Sequence, residues 1–410
     1  MSDASGQTVA VTGAADNVTA HRNHYAQFKR YLRHNLNYVL QLVQSADERL
    51  PEEVRQQALH TLSYGLGEEE YWATVSGILL ALAPKLELAG HREDWLPYLV
   101  RGLEQSKVVG DLPTTAECHL QIGLLNRLLS DFDTARHHLQ KSVELAQQNG
   151  NAHNQARALN ELAWLEQLLE KYEDAELYVT QALALIPEED IERAVSYRVQ
   201  GMIAIGYQEW EKAEALHRRA LSIFEQQCDS RRVAWSIQNL ASAVHGQQKY
   251  HEAIDLYRQA SRQLELINDQ YHWSIIQTNL GISFYEVKKY DLAMLCYREA
   301  ESIAKSLNDR FHLARIYTNI GLLDFSTGNY GNAAEAFRTS ALLHNDLGNV
   351  RLSINAEDGL VMTLIAQGHH VEAATVAQAA LVKLQHIQNS PRYYELLESL
   401  QSHLKEALHG

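Results

Sequence analysis

The residues best suited to chemistry in this sequence are histidines in pairs, glycines before an acidic run, and asparagines that recur at a fixed interval. The histidine pairs are His137-His138 and His369-His370. Adjacent residues point to different sides of a helix, so neither pair can clamp a metal from one helix. Gly65 opens the stretch GLGEEEYW, whose acidic residues would repel a phosphate, and this predicts a turn followed by a helix start. No phosphate-binding loop, dinucleotide fingerprint or HExxH zinc motif is present, so the sequence predicts no enzyme, no metal and no cofactor.

Charge and composition narrow the choice of partners and compartment. The net charge of -15 disfavours nucleic acid and anionic membranes, because both need clustered Lys and Arg. No apolar run approaches the roughly 18 residues that span a bilayer, and residues 1–20 lack the basic start and apolar core of a signal peptide. Cys118, Cys228 and Cys296 stand far apart in no CxxC arrangement, which favours a reduced compartment. We therefore expect a cytoplasmic protein with a short disordered tail over residues 1–20.

The elements that position these residues are repeats. An aromatic residue three positions before an alanine recurs at steps of 38 or 40 residues. The pairs are Phe132/Ala135, Tyr172/Ala175, Trp210/Ala213, Tyr250/Ala253, Tyr290/Ala293 and Tyr330/Ala333, with His370/Ala373 as a weaker seventh. Twelve residues before the first six alanines stands a small residue, here called the reference position: Gly123, Ala163, Gly201, Ala241, Gly281 and Gly321. Apolar residues between these marks follow helical spacing, which predicts two antiparallel helices in each unit.

This combination of small and aromatic positions resembles the tetratricopeptide repeat (TPR). The period of 40 is longer than the usual TPR period of about 34. In that respect the chain is similar to kinesin light chain, to the LGN/Pins spindle adaptors, and to the sensor arrays of bacterial MalT-like STAND regulators. The resemblance implies an all-α, right-handed superhelical α-solenoid of about eight helix pairs with helical caps at both ends.

The predicted boundaries follow from the repeat marks. Seven units cover residues 112–388, and a divergent first unit covers 68–111. Two capping helices precede it within 21–67, and Ser390-Pro391 opens a C-terminal cap within 389–410. The stretch that begins at Tyr71 resembles the first unit of bacterial STAND arrays, which suggests a bacterial origin. Because the chain has no phosphate loop, any switching would have to act in trans.

The resemblance also implies that the first helix of each unit lines the inner wall of the superhelix. The residue two before the reference position then points into the wall, and three consecutive units carry Asn there: Asn239, Asn279 and Asn319. Neighbouring first helices stand about 10 Å apart, and an extended peptide rises about 3.3 Å per residue, so one amide would meet every third peptide residue. Further inner-wall candidates are Arg157, Arg198, Arg315, Trp164, Trp235, His245, Tyr285 and Phe325.

Two functions fit this surface. The first is a scaffold or adaptor that binds a peptide segment of a protein partner in its concave groove, since aromatic and arginine side chains most often dominate binding energy. The second is a regulatory array that senses a small ligand or signalling peptide and acts in trans on an effector. The asparagines also have a structural interpretation, in which they bridge adjacent helices or persist from duplication. The partner and the oligomeric state do not follow from the sequence.

Overall fold

The structure is a computed structural model that describes residues 9–46, 50–88, 92–388 and 392–409. These residues form nineteen α-helices and two short 3-10 turns, and they contain no β-strand. The helices are α1 (Val9–Ser45), α2 (Glu52–Gly65), α3 (Trp72–Leu88), α4 (Arg92–Val109), α5 (Leu112–Leu128), α6 (Phe132–Gln148), α7 (Ala152–Leu168), α8 (Tyr172–Leu185), α9 (Glu192–Gly206), α10 (Trp210–Gln226), α11 (Ser230–Gly246), α12 (Tyr250–Ile267), α13 (Gln270–Glu286), α14 (Tyr290–Ser306), α15 (Arg310–Ser326), α16 (Tyr330–Asp346), α17 (Val350–Ala366), α18 (His370–Leu384) and α19 (Tyr393–His409).

The helices form a superhelical array of eight pairs, from α3/α4 to α17/α18, with α1 and α2 before the array and α19 after it. The predicted α-solenoid is confirmed. At the N-terminus α1 begins at Val9, whereas the sequence predicts a tail through residue 20; residues 1–8 lie outside the described residues. The predicted start of the last helix at Ser390-Pro391 also lies outside them, and α19 begins at Tyr393.

Helix starts and ends follow from local chemistry. Six helices begin after an Asp or Asn whose side chain accepts a hydrogen bond from the backbone N–H three residues on, which satisfies a helix-end donor. These caps are Asp111, Asp131, Asn151, Asp229, Asp269 and Asp309. Most of the turns between helices contain a residue with positive φ, such as Gly328 at 80° and Gly368 at 77°. Ser130 and Glu170 occupy the equivalent turn position with φ of 65° and 59°.

The two helices of a unit pack closely because the reference position is small. A Cβ added to Gly281 would lie 2.3 Å from the ring of Tyr297, and one added to Gly201 would lie 2.4 Å from the ring of His217. His217 and Tyr297 occupy the same position of their second helices, and both are buried. The reference glycines therefore make room for one large side chain from the partner helix.

Neighbouring units meet mainly where the second helix of one unit packs on the first helix of the next, as α6 does on α7. Consecutive first helices from α5 to α17 contact one another, whereas second helices of neighbouring units hardly touch in the described part of the chain. The array therefore curves with its first helices on the inner wall and its second helices outside. The signature aromatics stand between units, since a Cβ on Gly206 or Gly246 would lie within 2.4 Å of Tyr172 or Trp210 of the preceding unit.

Candidate binding groove

The inner wall carries a stripe in which two arginines alternate with two tryptophans and which ends at a histidine. Five consecutive first helices contribute one residue each: Arg127, Trp164, Arg198, Trp235 and His272. The Arg198 Cζ lies 4.8 Å from the ring centroid of Trp164 and 5.0 Å from that of Trp235. The Trp235 ring stacks on His272 at a centroid distance of 4.1 Å. We call these five residues the cation–aromatic ladder.

The ladder crosses the repeat frame diagonally. Its members stand four residues after, one after, three before, six before and nine before the reference positions of their units. Each unit therefore shifts the contact by about one helical turn, which is 5.4 Å along the helix axis. A stripe that follows the twist of the array in this way occupies no constant repeat position. The sequence predicted Trp164, Arg198 and Trp235 for this wall, but it did not reveal that they touch one another or that Arg127 and His272 continue the series.

Hydrogen bonds hold one end of the ladder firmly. The Trp235 Nε1 donates to Asp269 Oδ2 at 2.7 Å, and His272 Nδ1 lies 2.9 Å from the same oxygen. Asp269 is almost completely buried and also caps α13, so its carboxylate is fixed. Burial works against ionisation of Asp269, but His272 and Arg231 outweigh it and hold its pKa well below the usual range. By contrast, the Trp164 Nε1 is buried and forms no hydrogen bond with any residue that the structure describes.

The arginines of the wall differ in how their charge is balanced. Arg157 forms a bidentate ion pair with Glu117 of the preceding unit, with nitrogen–oxygen distances of 2.8 and 3.2 Å. Arg198 is 7% exposed and forms neither a hydrogen bond nor an ion pair within the described residues. Burial lowers the pKa of Arg198 to about 10, although nearby Glu161 and Glu192 act in the opposite direction. Arg315 is exposed, so its charge remains in water.

The three predicted asparagines differ in exposure. Asn239 is 3% exposed, whereas Asn279 and Asn319 are half-buried. The Asn279 Nδ2 lies 3.5 Å from Ser242 Oγ of the preceding unit, a long contact that links two neighbouring first helices. Asn319 forms no side-chain hydrogen bond within the described residues. The same repeat position is thus more exposed in the two units nearer the C-terminus.

The remaining predicted groove residues lie at the ends of their first helices, beside the turn into the second helix. Each packs on the signature aromatic of its own unit, with ring-centroid distances of 5.0 Å for His245–Tyr250, 5.7 Å for Tyr285–Tyr290 and 5.4 Å for Phe325–Tyr330. Tyr285 also shares a hydrogen bond of 2.8 Å with Ser326 Oγ of the next unit. These rings are half-buried and form the edge of the wall rather than its centre.

The histidine pairs and acidic residues do not assemble a metal site in the part of the chain that the structure describes. The described residues contain no group of three or more His, Cys, Asp or Glu side chains that could hold a metal ion. His137 is exposed, but His138 is half-buried and its Nδ1 lies 3.1 Å from His119 Nδ1 across α5 and α6. Burial lowers the pKa of His119 to about 4, so this pair is neutral near pH 7. Within the described ranges, no helix has both the length and the apolar character needed to cross a bilayer.

Tetratricopeptide repeat models match residues 98–188, 192–266 and 314–346. The chain therefore contains tetratricopeptide repeats (TPRs) in those segments. The matched segments include four of the five helices of the cation–aromatic ladder, α5, α7, α9 and α11, whereas α13 lies between two matched segments. No curated protein matches the chain by sequence.

Several solved TPR structures are similar to this one. A Rap protein complexed with competence and sporulation factor has a TM-score of 0.59 at 14% identity, over 90% of this chain and 99% of that chain. A STAND protein with a TPR sensor from Pyrococcus horikoshii has a TM-score of 0.54 at 16% identity, over 82% of this chain and 49% of that chain. A kinesin light chain with TPR-like repeats from Podospora anserina has a TM-score of 0.39 at 16% identity, over 47% and 96%. These identities show a shared fold only.

The TPR array closes on itself after one turn of the superhelix. The Ser130 Oγ accepts a hydrogen bond of 3.0 Å from the backbone N–H of Phe311, and Glu170 forms a bidentate ion pair with Arg351. Both contacts join residues 181 positions apart, and the second repeats the first one unit further along the chain. We call these two contacts, with the Phe132–Phe311 ring pair at 5.4 Å, the coil closure.

The coil closure joins turns and helix starts that are far apart in the sequence. Ser130 and Glu170 come from turns within units, whereas Phe311 and Arg351 are second residues of α15 and α17. The backbone N–H of Phe311 is one of the donors that a helix start leaves without an intrahelical partner, and Ser130 satisfies it. A cavity of about 1510 Å³ lies along this junction, lined by the turns around Ser130, Glu170, Tyr207 and Asn349 and by Arg392.

Proposed function

We propose that this TPR protein is a non-catalytic binding protein that holds a peptide segment of a partner protein in its concave groove. The observation that carries the proposal is the half-buried Asn279 and Asn319, which stand at one repeat position of neighbouring first helices on the inner wall. An amide offers both a donor and an acceptor, so it can bond a peptide backbone whatever the peptide side chains are. The similarity to a Rap protein solved in complex with competence and sporulation factor supports this function.

The test of the groove combines partner capture with direct binding. The partner is captured from the native host, and its binding segment is narrowed to a synthetic peptide whose affinity is measured. Asn279→Ala with Asn319→Ala should weaken that affinity by about tenfold or more, because two hydrogen bonds of about 1 kcal/mol each are lost. The melting temperature should not change, since neither side chain lies in a packed core.

A matched control is Asn345→Ala, which alters an exposed asparagine on the outer helix α16. It should leave the affinity unchanged. If the double variant binds as tightly as wild type, or if it unfolds at lower temperature, the structural interpretation of the asparagines is preferred and the groove proposal fails.

A second candidate function is a sensor that changes its superhelical pitch when a ligand binds, and the coil closure favours it. Contacts that join residues 181 positions apart must strain or break when the pitch changes, so they constitute an element with two possible states. The similarity to a STAND protein that has a TPR sensor supports the same candidate.

The sensor candidate is tested by small-angle scattering with size-separated fractions of native-host extract. Some fraction should change the radius of gyration of the wild type. Arg351→Glu, which breaks the ion pair with Glu170, should enlarge the protein beforehand and reduce that response. Glu170→Arg combined with Arg351→Glu restores a pair of opposite polarity and should restore the response. If no fraction alters the wild-type scattering, the sensor candidate is contradicted.

A further inference from the structure

We infer that the cavity along the coil closure binds a small uncharged amphiphile, a molecule with an apolar chain and one uncharged, oxygen-bearing head such as an amide. Turns and helix ends from both sides of the closure line this cavity, rather than the predicted groove residues. The inference therefore goes beyond the proposed peptide-binding function and does not depend on it. A ligand in this cavity contacts both sides of the closure and so holds the coil closed.

The wall of the cavity continues the apolar core of the coil closure. Phe132 and Phe311 belong to one buried cluster that joins the two sides of the closure. Four half-buried leucines pack against that cluster and also line the cavity, two from each side: Leu168, Leu169, Leu347 and Leu352. Their uncovered parts offer a surface to an apolar chain, and each CH2 group that the chain buries should raise the affinity about fourfold.

The charges of the wall are balanced within the protein, so they favour no ionic ligand. All five basic residues of the lining form ion pairs with carboxylates: Arg136, Lys171, Arg310, Arg351 and Arg392. Two acidic residues of the lining, Glu173 and Asp174, are exposed and keep their carboxylates hydrated. An anionic head would have to compete with these carboxylates for a cation, and an ammonium would lose its hydration beside leucine side chains. An uncharged head avoids both costs.

One polar group of the wall favours a head that carries an oxygen acceptor. Asn349 lines the cavity and stands before the first residue of α17, where Asn151 and Asp309 cap α7 and α15 with their side chains. The Asn349 side chain forms no such cap, and its Nδ2 is buried without a hydrogen-bond partner in the described residues. A buried donor of this kind loses its hydration without return, and an amide or ester oxygen would satisfy it.

The probes for this site are four simple compounds that share either a head or a chain. Octanamide has the proposed chemistry. Butanamide keeps the head and shortens the chain, whereas octanoate and octylammonium keep the chain and carry a charged head. The cavity of about 1510 Å³ accommodates all four, since common ligand pockets hold roughly 300 to 1,000 Å³. Titration calorimetry with the full chain measures each affinity.

Octanamide should bind saturably, with one molecule per chain. Butanamide should bind at least about tenfold more weakly, because four CH2 groups are no longer buried. Octanoate and octylammonium should also bind at least about tenfold more weakly, because their charges must be desolvated. Equal or tighter binding of either ion, or absence of saturable octanamide binding, overturns the inference.

A filling variant tests whether the binding takes place in this cavity. Val350→Trp directs a large ring into the cavity from the first residue of α17 and should abolish saturable octanamide binding. Val371→Trp is the matched control, because Val371 lies at the start of α18, is 85% exposed and is remote from the lining. It should bind octanamide as wild type does. Unchanged affinity in Val350→Trp overturns the inference.

A smaller substitution keeps the test decisive if the new tryptophan disturbs the fold. Asn349→Ala removes the buried donor and should weaken octanamide binding about fivefold, the value of one hydrogen bond. Asn149→Ala is its control, since Asn149 Nδ2 is likewise buried without a partner in the described residues but belongs to a turn outside the lining. Equal affinities in wild type and both variants overturn the assignment.

Hydrogen exchange tests whether the ligand holds the coil closed. The backbone N–H of Phe311 donates to Ser130 across the closure, so its exchange reports opening. A ligand that contacts both sides must leave before the closure opens, which lowers the open population by the factor 1 + [L]/Kd. With free octanamide at about ten times its Kd, exchange at the start of α15 should slow about tenfold, and exchange at the start of α13, away from the cavity, should not change.

Equal slowing at both helix starts, or no slowing at either, overturns the holding of the coil by the ligand. None of these measurements involves a peptide. Their failure therefore leaves the proposed groove function standing, and failure of the Asn279 and Asn319 test leaves this site standing.

Discussion

Contacts between the two helices of a unit and contacts across the coil closure differ in where their specificity comes from. Between the helices of a unit, a small reference residue faces a large side chain, as with Gly281 and Tyr297, and this relation is repeated along the chain. Across the coil closure, Ser130 meets Phe311 and Glu170 meets Arg351, at a separation of 181 residues. The first kind depends on local repeat geometry. The second depends on the rotation that accumulates over several units.

This difference explains how the units of a repeat array can be rigid while the curvature of the whole array can change. Stability of a solenoid comes mainly from each unit and its nearest neighbours. A small change in the angle between units leaves those contacts intact but displaces the two sides of the coil closure by the sum of several such changes. The closure is therefore the place where the array should respond first to strain.

The largest effect is expected from Phe311→Ala, which removes a ring of the coil closure. Loss of this nearly buried ring should cost about 3 kcal/mol of unfolding free energy, and the radius of gyration should rise while the helix content stays constant. Phe337→Ala is the matched control, since Phe337 is 1% exposed and fills the space beside Gly321 within its unit. It should destabilise the protein without expansion. Equal radii for both variants would show that the closure does not hold the coil.

A somewhat smaller effect is expected from Gly281→Ala, which tests the contact within a unit. The new Cβ would lie 2.3 Å from the Tyr297 ring, and overpacking of this kind costs about 1 to 3 kcal/mol. Gly331→Ala is the control, because Gly331 lies in a helix with open space around it. The control should be neutral or stabilising by up to about 1 kcal/mol. Urea unfolding midpoints check both variants, and a stable Gly281→Ala protein would contradict the close-packing argument.

The smallest effect is expected when the pH is lowered. It involves one buried histidine within a unit and one beside the coil closure. Burial lowers the pKa of His217, within a unit, and of His344, beside Phe311, to about 3 in the folded protein. An unfolded histidine has its ordinary pKa near 6.5, so the unfolded state takes up more protons below that pH. Stability should then fall by up to about 1.4 kcal/mol for each histidine when the pH is lowered from 6.5 to 5.5.

Two variants test whether these histidines cause the predicted loss of stability at low pH. His217→Phe places an aromatic ring where the equivalent position already holds Tyr297 and Phe337, and His344→Leu matches Leu264 and Leu384 of other units. Each should flatten the fall of the melting temperature between pH 7.5 and 5. An unchanged pH profile would mean that these histidines are not the groups that make the array sensitive to acid.

Much of the fold was predictable because it depends on local patterns. The signature aromatics, the reference positions and the Asp and Asn caps all act within one unit, and the predicted TPR solenoid is confirmed. The asparagine series was also visible in the sequence, because it occupies a constant repeat position. Its role in peptide binding stays a prediction. What the constant position did not disclose is the difference in exposure between Asn239 and Asn319.

The cation–aromatic ladder was only partly predictable for a geometric reason. Trp164, Arg198 and Trp235 were identified as inner-wall residues by type, but their offsets from the reference position change by about one turn in each unit. A search at one constant repeat position therefore does not find these residues together. A diagonal search, stepping back three or four residues per unit, would have joined them with Arg127 and His272.

The amino-acid sequence by itself determined the helices, their pairing and the wall that faces inward, because helical periodicity, capping and small-residue packing act over one repeat. Only the tertiary structure decided which inner-wall side chains touch, which arginine remains without a partner, and where the coil meets itself. Those outcomes depend on the twist between units, a small rotation whose effect becomes visible only when it is summed along the array.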